Sequence, residues 1–333
     1  MRKLLLPAFL LGLTLAIGIV AWQGLGEVAE ALSRAGFRLL WLVPLFLIPL
    51  VLSALAWAVI FPEGTRPSLQ RLCTATWIAL SINWLLPVAQ IGGEIAKAAW
   101  LGRRAAPAAT MVATAIVDKL LQTVGQALVA LIGVALAVLL VGNSGLVPVS
   151  LGFAVFLLAL IPLFYRAQRR GLFQRLAAMA ERAFQRSAAR ARTAGDSRPF
   201  SLAERAGELD AAVRQTCAAP GPLVLHLAIR LAARLIIALE IWLTLELMGH
   251  PIGLLEAVMI ECLAQTLRSA AFAVPGAYGV QEGGFILLGA LVGVPAEIAL
   301  SVSLAKRLRE LLIGLPGLAF YQVSEGRLAL AVR

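Results

Sequence analysis

Four long apolar runs decide which kind of fold is open to this chain. Residues 4–22, 39–61, 120–141 and 146–165 are predominantly apolar, and each reaches roughly the 20 residues that an α-helix needs to cross a bilayer core. Of 333 residues, 60% are hydrophobic and only 14% are charged, whereas about a quarter of the residues of a soluble domain are charged. The sequence therefore predicts an all-α integral membrane protein, a polytopic helical bundle with about seven or eight spans.

Positive charge is concentrated in one segment. The formal net charge is +11, and residues 166–214 contain eleven arginines against five acidic residues. Arginine-rich loops stay on the cytoplasmic side of bacterial membranes, so residues 166–219 are predicted to be a cytoplasmic loop, and the N-terminus is predicted to be cytoplasmic too. Apolar residues between positions 172 and 184 repeat at helical spacing, which fits either a helix on anionic lipid headgroups or a solvated linker. Charge placed in this way indicates a membrane surface and no nucleic-acid partner.

Cysteine and histidine residues form no recognisable ligand set. The three cysteines, Cys73, Cys217 and Cys262, are far apart in the sequence and form no CxxC motif, so neither a disulfide framework nor a zinc site is indicated. His226 and His250 stand alone near predicted span ends, without a partner in the sequence to orient them. No catalytic residue, metal or cofactor is therefore predicted.

Two segments interrupt the helical pattern with proline and glycine. The first contains Pro87, Gly92 and Gly93; the second contains Pro275, Gly276 and Gly279. Such backbone leaves polar groups that lipid cannot satisfy, so it should face protein or a water-filled cavity. Each segment fits either two short spans or a re-entrant hairpin, and the alternative interpretation is that both breaks are packing kinks.

One fixed offset of 188 residues relates the two breaks. It places Pro87 on Pro275 and Glu94 on Glu282, and it also places Lys119 on Arg307. The match predicts one transmembrane domain over residues 1–333, with a first repeat at 39–141 and a second at 227–329. Three predicted spans separate the breaks, and an odd number reverses the direction of the chain. The two hairpins are therefore predicted to enter from opposite faces as an inverted repeat, a plan typical of transporters.

Charged residues lie inside segments that are otherwise apolar. A lone charge near the bilayer centre costs roughly 2.5 to 3.5 kcal/mol on the insertion scale, so these residues need partners or water. We expect opposite charges from both halves to line one polar substrate path, in which cations hold a lipid phosphate. The alternative is a structural ion pair at Asp118 and Lys119, with the later charges at a membrane surface. The path residues predicted in this way are Glu94, Lys97, Asp118, Lys119, Glu282 and Arg307.

These motifs resemble the lysylphosphatidylglycerol synthetase/flippase-type transmembrane family, including its hopanoid-biosynthesis-associated branch. The resemblance covers most of the chain and depends on the Pro87 and Gly92-Gly93-Glu94 break, the Asp118-Lys119 pair, and the later break with Glu282. It implies a bacterial inner-membrane protein that moves or presents a lipid. Lys97 and Lys119 stand where arginine is commoner in the family, and Gln281 stands where a basic residue often precedes the glutamate. Because lysine lacks the bidentate fork of arginine, this chain is expected to hold a phosphate more loosely or to take a different headgroup.

The leading functional hypothesis is a lipid flippase or lipid-transport protein for membrane lipids with anionic or polar headgroups. No nucleotide-binding motif is present, so movement would be driven by an ion gradient, by protonation of a buried carboxylate or by the lipid gradient itself. One alternative is a membrane-embedded enzyme with Glu94 or Glu282 as general acid or base. Another is a scaffold that recruits lipid-synthesis enzymes through the arginine-rich loop. No aminoacyl-transferring domain follows residue 327, so enzymatic lipid aminoacylation is not expected.

Overall fold

A computed structural model of the chain describes residues 35–86, 92–102, 108–142, 202–271 and 279–331, together with isolated positions at 30, 33, 148, 151–152, 155–156, 159, 166 and 277. The described residues are helical and contain no strand, which confirms the all-α prediction. A 3₁₀ helix at Gly36–Trp41 leads directly into the first α-helix. The α-helices in the described residues are α1 (Leu42–Val59), α2 (Leu69–Leu85), α3 (Gly92–Gly102), α4 (Ala108–Val141), α5 (Leu202–Thr216), α6 (Pro220–Leu247), α7 (Leu254–Ala270), α8 (Val280–Ala290) and α9 (Ala296–Ala331).

Several predicted features lie outside the described residues. They include the apolar run at residues 4–22, most of the run at 146–165, and most of the arginine-rich loop. The breaks are described only in part, because Pro87, Pro275 and Gly276 fall outside, whereas Gly92, Gly93 and Gly279 fall inside.

Three segments within the described residues are long and apolar enough to cross a membrane: Gly36–Val59, Ala109–Val141 and Pro220–Leu247. Large apolar side chains lie on the outer surface of the first of them, where Phe37 is 91% exposed and Trp41 is 67% exposed. A surface of this kind needs lipid, because soluble proteins rarely expose contiguous apolar patches. The molecule is therefore a helical membrane protein, while the number of spans stays a prediction.

The helices that flank the two breaks are short. Both α3 and α8 have 11 residues, which gives a length of about 16 Å at 1.5 Å per residue. Since a bilayer core is about 30 Å thick, neither helix can cross it alone. Gly279 has a φ of 79°, a conformation that glycine adopts without steric cost, and it precedes the first turn of α8.

Helix bounds in the two halves follow the 188-residue offset. Helices α3 and α8 begin at residues 92 and 280, α4 and α9 begin at 108 and 296, and α1 and α6 end at 59 and 247. The packing is paired in the same way. Helix α1 packs on α6. The contact of α2 with α9 corresponds to that of α7 with α4, and the contact of α2 with α3 corresponds to that of α7 with α8. These correspondences support an internal repeat; its orientation in the membrane stays a prediction.

Each half has its own apolar core. One cluster of buried residues comes mainly from α1 to α4 and includes Trp57, Leu72 and Leu101. The other comes mainly from α6 to α9 and includes Ile241, Met259 and Leu288. Charged side chains that belong to neither core come together where the two halves meet.

Candidate functional site

A cavity of about 210 Å³ lies among α1, α2, α3, α4, α6, α7 and α9. It is level with the middle of the apolar helices, since Pro49 of α1 and Arg234 of α6 both reach it. One part of its wall is apolar or aromatic, and the rest is polar. The charged residues of the wall are Glu94, Lys97, Lys119, Arg230, Arg234, Glu261, Arg268, Lys306, Arg309 and Glu310.

The first ion network is centred on Asp118, which is fully buried. Its carboxylate accepts hydrogen bonds from Lys97 Nζ at 2.5 Å and from Arg230 Nη2 at 2.7 Å, and it lies 2.8 Å from His226 Nε2. Lys97 Nζ is also 2.5 Å from Glu94 Oε2. Asp118 therefore lies behind the cavity wall and holds two of the cations that line it.

This network changes one expectation from the sequence. His226 was predicted to stand alone, but it contacts Asp118 across 108 positions of sequence. Asp118 is also held by Lys97 and Arg230, and Lys119 lines the cavity. The alternative of a structural ion pair at Asp118 and Lys119 stays a prediction. No signal in the sequence links His226 to residue 118, because the two helices come together only in the folded protein.

The second network contains acidic residues that sequence reasoning missed. Glu261 Oε2 accepts a hydrogen bond from Lys306 Nζ at 2.6 Å, and its Oε1 accepts one from Arg234 Nη1 at 2.9 Å. Nearby, Arg309 Nη2 donates to Glu240 Oε2 at 3.1 Å. Like Asp118, Glu240 and Glu261 are charges within predominantly apolar stretches of helix, and this signal in the sequence could have identified them.

The third network joins the second break to α9. Glu282 Oε2 accepts a hydrogen bond from the Gly279 backbone N–H at 2.7 Å, and its Oε1 accepts one from Arg307 Nε at 3.2 Å. Arg307 Nη1 also donates to Glu310 Oε2 at 3.3 Å, and Arg268 Nη1 donates to Glu310 Oε1 at 2.7 Å. Glu282 thus closes the first turn of α8, as a residue at this capping position does, and is fixed by a cation from α9.

The structure distributes the predicted path residues unequally. Glu94, Lys97 and Lys119 lie in the cavity wall, whereas Asp118 lies directly behind it. The described wall does not include Glu282 and Arg307, which reach it indirectly through Glu310. Whether any of the six contacts a substrate stays a prediction.

Among the predicted hinge residues, Gly93 has a clear packing role. A Cβ atom at this position would collide with the backbone oxygen of Ala79 on α2. The Gly93 N–H donates to Asn83 Oδ1 at 2.9 Å. The absence of a side chain at Gly93 therefore allows α3 to pack closely on α2.

Formal charge in the cavity wall is unbalanced. Seven of its residues are lysine or arginine and three are glutamate, a net charge of +4 at neutral pH. Counting the two acids that lie directly behind the wall, Asp118 and Glu240, the net charge is still +2. Cations at close range in a partly dry environment bind an anion strongly, so the cavity is suited to a negatively charged group.

The sequence was compared with protein-family models, with curated proteins and with solved structures. The family model described as "Lysylphosphatidylglycerol synthase TM region" matches residues 9–317. A comparison with curated proteins gave no match, and a comparison with solved structures gave none either.

Proposed function

This chain belongs to the lysylphosphatidylglycerol synthase TM region family, and from that premise we propose that it is a lipid-transport protein whose cavity receives a polar headgroup. The observation that carries the proposal is the cationic cavity at the middle depth of apolar helices. Charges in that position are costly and mark substrate pathways in membrane proteins. Its apolar wall, which includes Leu50 and Ile237, is compatible with the first carbons of lipid chains.

The proposed transport movement uses the two halves as an inverted repeat. In this arrangement α2 with α3, and α7 with α8, form re-entrant hairpins that enter from opposite faces of a bacterial inner membrane. Alternate rocking of the halves would open the cavity first to one face and then to the other. The matched helix bounds and the paired packing of α2 on α9 and α7 on α4 support this arrangement. The further spans and the cytoplasmic N-terminus belong to the same proposal.

Contacts of the two glutamates favour transport over lipid chemistry. Glu94 is 2.5 Å from Lys97 Nζ, and Glu282 accepts hydrogen bonds from Arg307 and from the Gly279 N–H. Both carboxylates are engaged by groups of the protein itself, so either would have to give up these contacts to act as a general acid or base on a lipid headgroup. The same residues are well placed to hold helices in register while the cavity changes shape.

Leaflet exchange of headgroup-labelled lipids tests the proposal. The purified protein is placed in liposomes that contain glycerophospholipids, a hopanoid or a polyprenyl phosphate, with and without a proton gradient. We expect wild-type protein to exchange at least one of these lipids, and Glu94→Gln and Glu282→Gln to lose that exchange. Glu256→Gln is the matched control, because Glu256 caps α7 through Gly253 at 2.7 Å and takes no part in the networks above.

Each outcome separates the candidate functions. Exchange by wild type and by the Glu256 control, lost in both test variants, supports transport through the cavity. The absence of exchange with every lipid class would refute it. A lipid recovered in chemically altered form would replace it with the enzyme hypothesis.

A further inference from the structure

We propose that Arg309 is the phosphate-binding residue of the cavity, and that it selects lipids whose headgroup is net negative over zwitterionic or aminoacylated ones. The inference rests on the proposed function, since it names the substrate class of the same cavity. The ligand chemistry is a phosphate ester that carries no balancing ammonium group.

Arg309 is held rigidly in the cavity wall. Its side chain is 4% exposed and donates from Nη2 to Glu240 Oε2 at 3.1 Å. The guanidinium carbon lies 3.9 Å from the centre of the Phe46 ring and 5.2 Å from that of Trp84. The centres of these two rings are themselves 5.3 Å apart, with planes inclined by 60°. Stacking and one ion pair therefore fix the plane of the guanidinium before a ligand arrives.

Two donors of this fixed group lack a partner among the described residues. Within the described part of the chain, Arg309 Nε and Nη1 have no hydrogen-bond partner, although both are buried. Arg230, also in the wall, leaves its Nε without a partner there while its Nη2 is engaged by Asp118. A buried cationic donor without an acceptor is unfavourable, and a phosphate oxygen supplies the acceptor that these groups lack.

The acids of the wall, in contrast, are already engaged. Glu261 is held by Arg234 and Lys306, and Glu310 is held by Arg268 and Arg307. Glu94 Oε2 lies 2.5 Å from Lys97 Nζ in an ion pair, although it accepts no hydrogen bond within the described residues. An ammonium group would have to compete with one of these cations, whereas a phosphate binds donors of Arg309 that have no partner there. The carboxylate of Glu240 does not offer an alternative, because it lies behind Arg309 and outside the wall.

Selectivity follows from this difference. Phosphatidylglycerol brings one uncompensated negative charge to a wall with an excess of cations. Phosphatidylethanolamine brings an ammonium together with its phosphate, and an aminoacylated phosphatidylglycerol brings one or two. Like charges at close range in a low-dielectric site repel, so both are disfavoured.

Arg307 provides a matched control two positions away. It carries the same guanidinium on the same helix, and the 188-residue offset matches it to Lys119. Its Nε and Nη1 donate to Glu282 and Glu310, and it does not belong to the described cavity wall. Replacing each arginine by lysine or by methionine therefore compares a cavity guanidinium with one outside the wall.

Lipid retention by the purified full chain, measured by native mass spectrometry, tests the inference without requiring transport. The probes are phosphatidylglycerol, phosphatidylethanolamine and lysyl-phosphatidylglycerol of matched chain length, each with and without excess inorganic phosphate. We expect wild type to retain phosphatidylglycerol about tenfold or more over the other two lipids, the size expected for one charge-assisted hydrogen bond. Arg309→Met should abolish this preference and Arg309→Lys should weaken it, while both Arg307 variants should keep it.

Inorganic phosphate distinguishes two sources of the anion. Retention that survives excess phosphate identifies a lipid headgroup as the ligand, and displacement by phosphate identifies a free phosphate; either result, if lost in Arg309→Met, supports the phosphate-binding role. Equal retention of the three lipids by wild type would overturn the inference, and so would an unchanged preference in Arg309→Met. If Arg309→Met does not fold because Glu240 is left alone, the double variant with Glu240→Gln removes both charges and answers the same question.

The outcome is independent of the transport assay. Selective binding that depends on Arg309, with no leaflet exchange, would refute transport and leave this inference standing. Exchange that is indifferent to headgroup charge and to Arg309 would refute the inference and leave transport standing.

Discussion

Asp118→Asn gives the sharpest test of how the buried charges are held. Asp118 is fully buried and accepts charge-assisted contacts from Lys97, Arg230 and His226. Replacing the carboxylate by an amide leaves Lys97 and Arg230 close together without their shared anion. Removing one partner of a buried ion pair costs about 3–5 kcal/mol, so the free energy of unfolding should fall by an amount in that range.

The measurement is reversible unfolding of the detergent-solubilised protein by SDS, followed by tryptophan fluorescence. Glu246→Gln serves as the control, because Glu246 is an exposed carboxylate at the end of α6 and its loss should change the free energy by less than about 0.5 kcal/mol. The double variant Asp118→Asn with Lys97→Met should recover part of the loss, since it removes one of the stranded cations. A decrease of less than about 1 kcal/mol in the free energy of unfolding of Asp118→Asn would refute the reasoning, because buried cations without their anion should destabilise the protein by more than that.

Three further predictions concern packing and reactivity. Gly93→Ala should destabilise the protein by about 1–3 kcal/mol, because the new Cβ meets the Ala79 carbonyl oxygen. Gly283→Ala, whose Cβ meets nothing within 4 Å among the described residues, should be neutral or slightly stabilising; the same SDS titration measures both. Trp77→Phe should cost about 1 kcal/mol, since Trp77 Nε1 donates to the Ile313 carbonyl at 2.9 Å and joins α2 to α9; equal stability of the variant would contradict that role. Burial raises the pKa of the Cys217 thiol, which lies just before α6. In a variant whose only cysteine is Cys217, maleimide labelling at pH 7 should therefore be slower than labelling of a free cysteine, and its rate should still rise above the ordinary thiol pKa. A labelling rate that does not depend on pH would contradict this prediction.

The helical membrane fold was predictable because its signal is local. An apolar run of about 20 residues requires a helix in lipid whatever its neighbours are. The 188-residue offset read from the prolines and glutamates equals the spacing between the helix starts at 92 and 280, while the repeat itself stays a prediction. The short helices around each break were harder to predict. Glycine and proline indicate where a helix is interrupted, but they do not determine which helix packs against the interruption.

The partners of the buried charges were not predictable in the same way. Lys97 and Asp118 are 21 positions apart, but Arg230 and His226 come to Asp118 from more than 100 positions away. Hydropathy indicates only that each charge needs a partner, and several arrangements satisfy that need equally. Tertiary packing of α6 against α4 selects the one that is observed.

Arg307 and Arg309 show the limit most clearly. The offset assigned the path role to Arg307, while the structure puts Arg309 in the wall and Arg307 in the network behind Glu282. Two successive steps of 100° around a helix turn the side chain to a nearly opposite face. A shift of two residues in an alignment is small, but on a helix it moves a charge from one side to the other.

The separation of charged partners along the chain also sets the order in which the protein can be assembled. The Lys97 and Asp118 pair closes over 21 positions, so the first half can enter the membrane with its acid already neutralised. Arg230 is 112 positions beyond Asp118, a delay of roughly 6 to 20 seconds at usual rates of synthesis. During that interval Asp118 already has two of its described partners, the cation of Lys97 and the amide of Gln122, while Arg230 and His226 have still to be synthesised. A substitution at Lys97 therefore threatens insertion of α4 before the second half exists, whereas one at Arg230 acts only on the finished molecule.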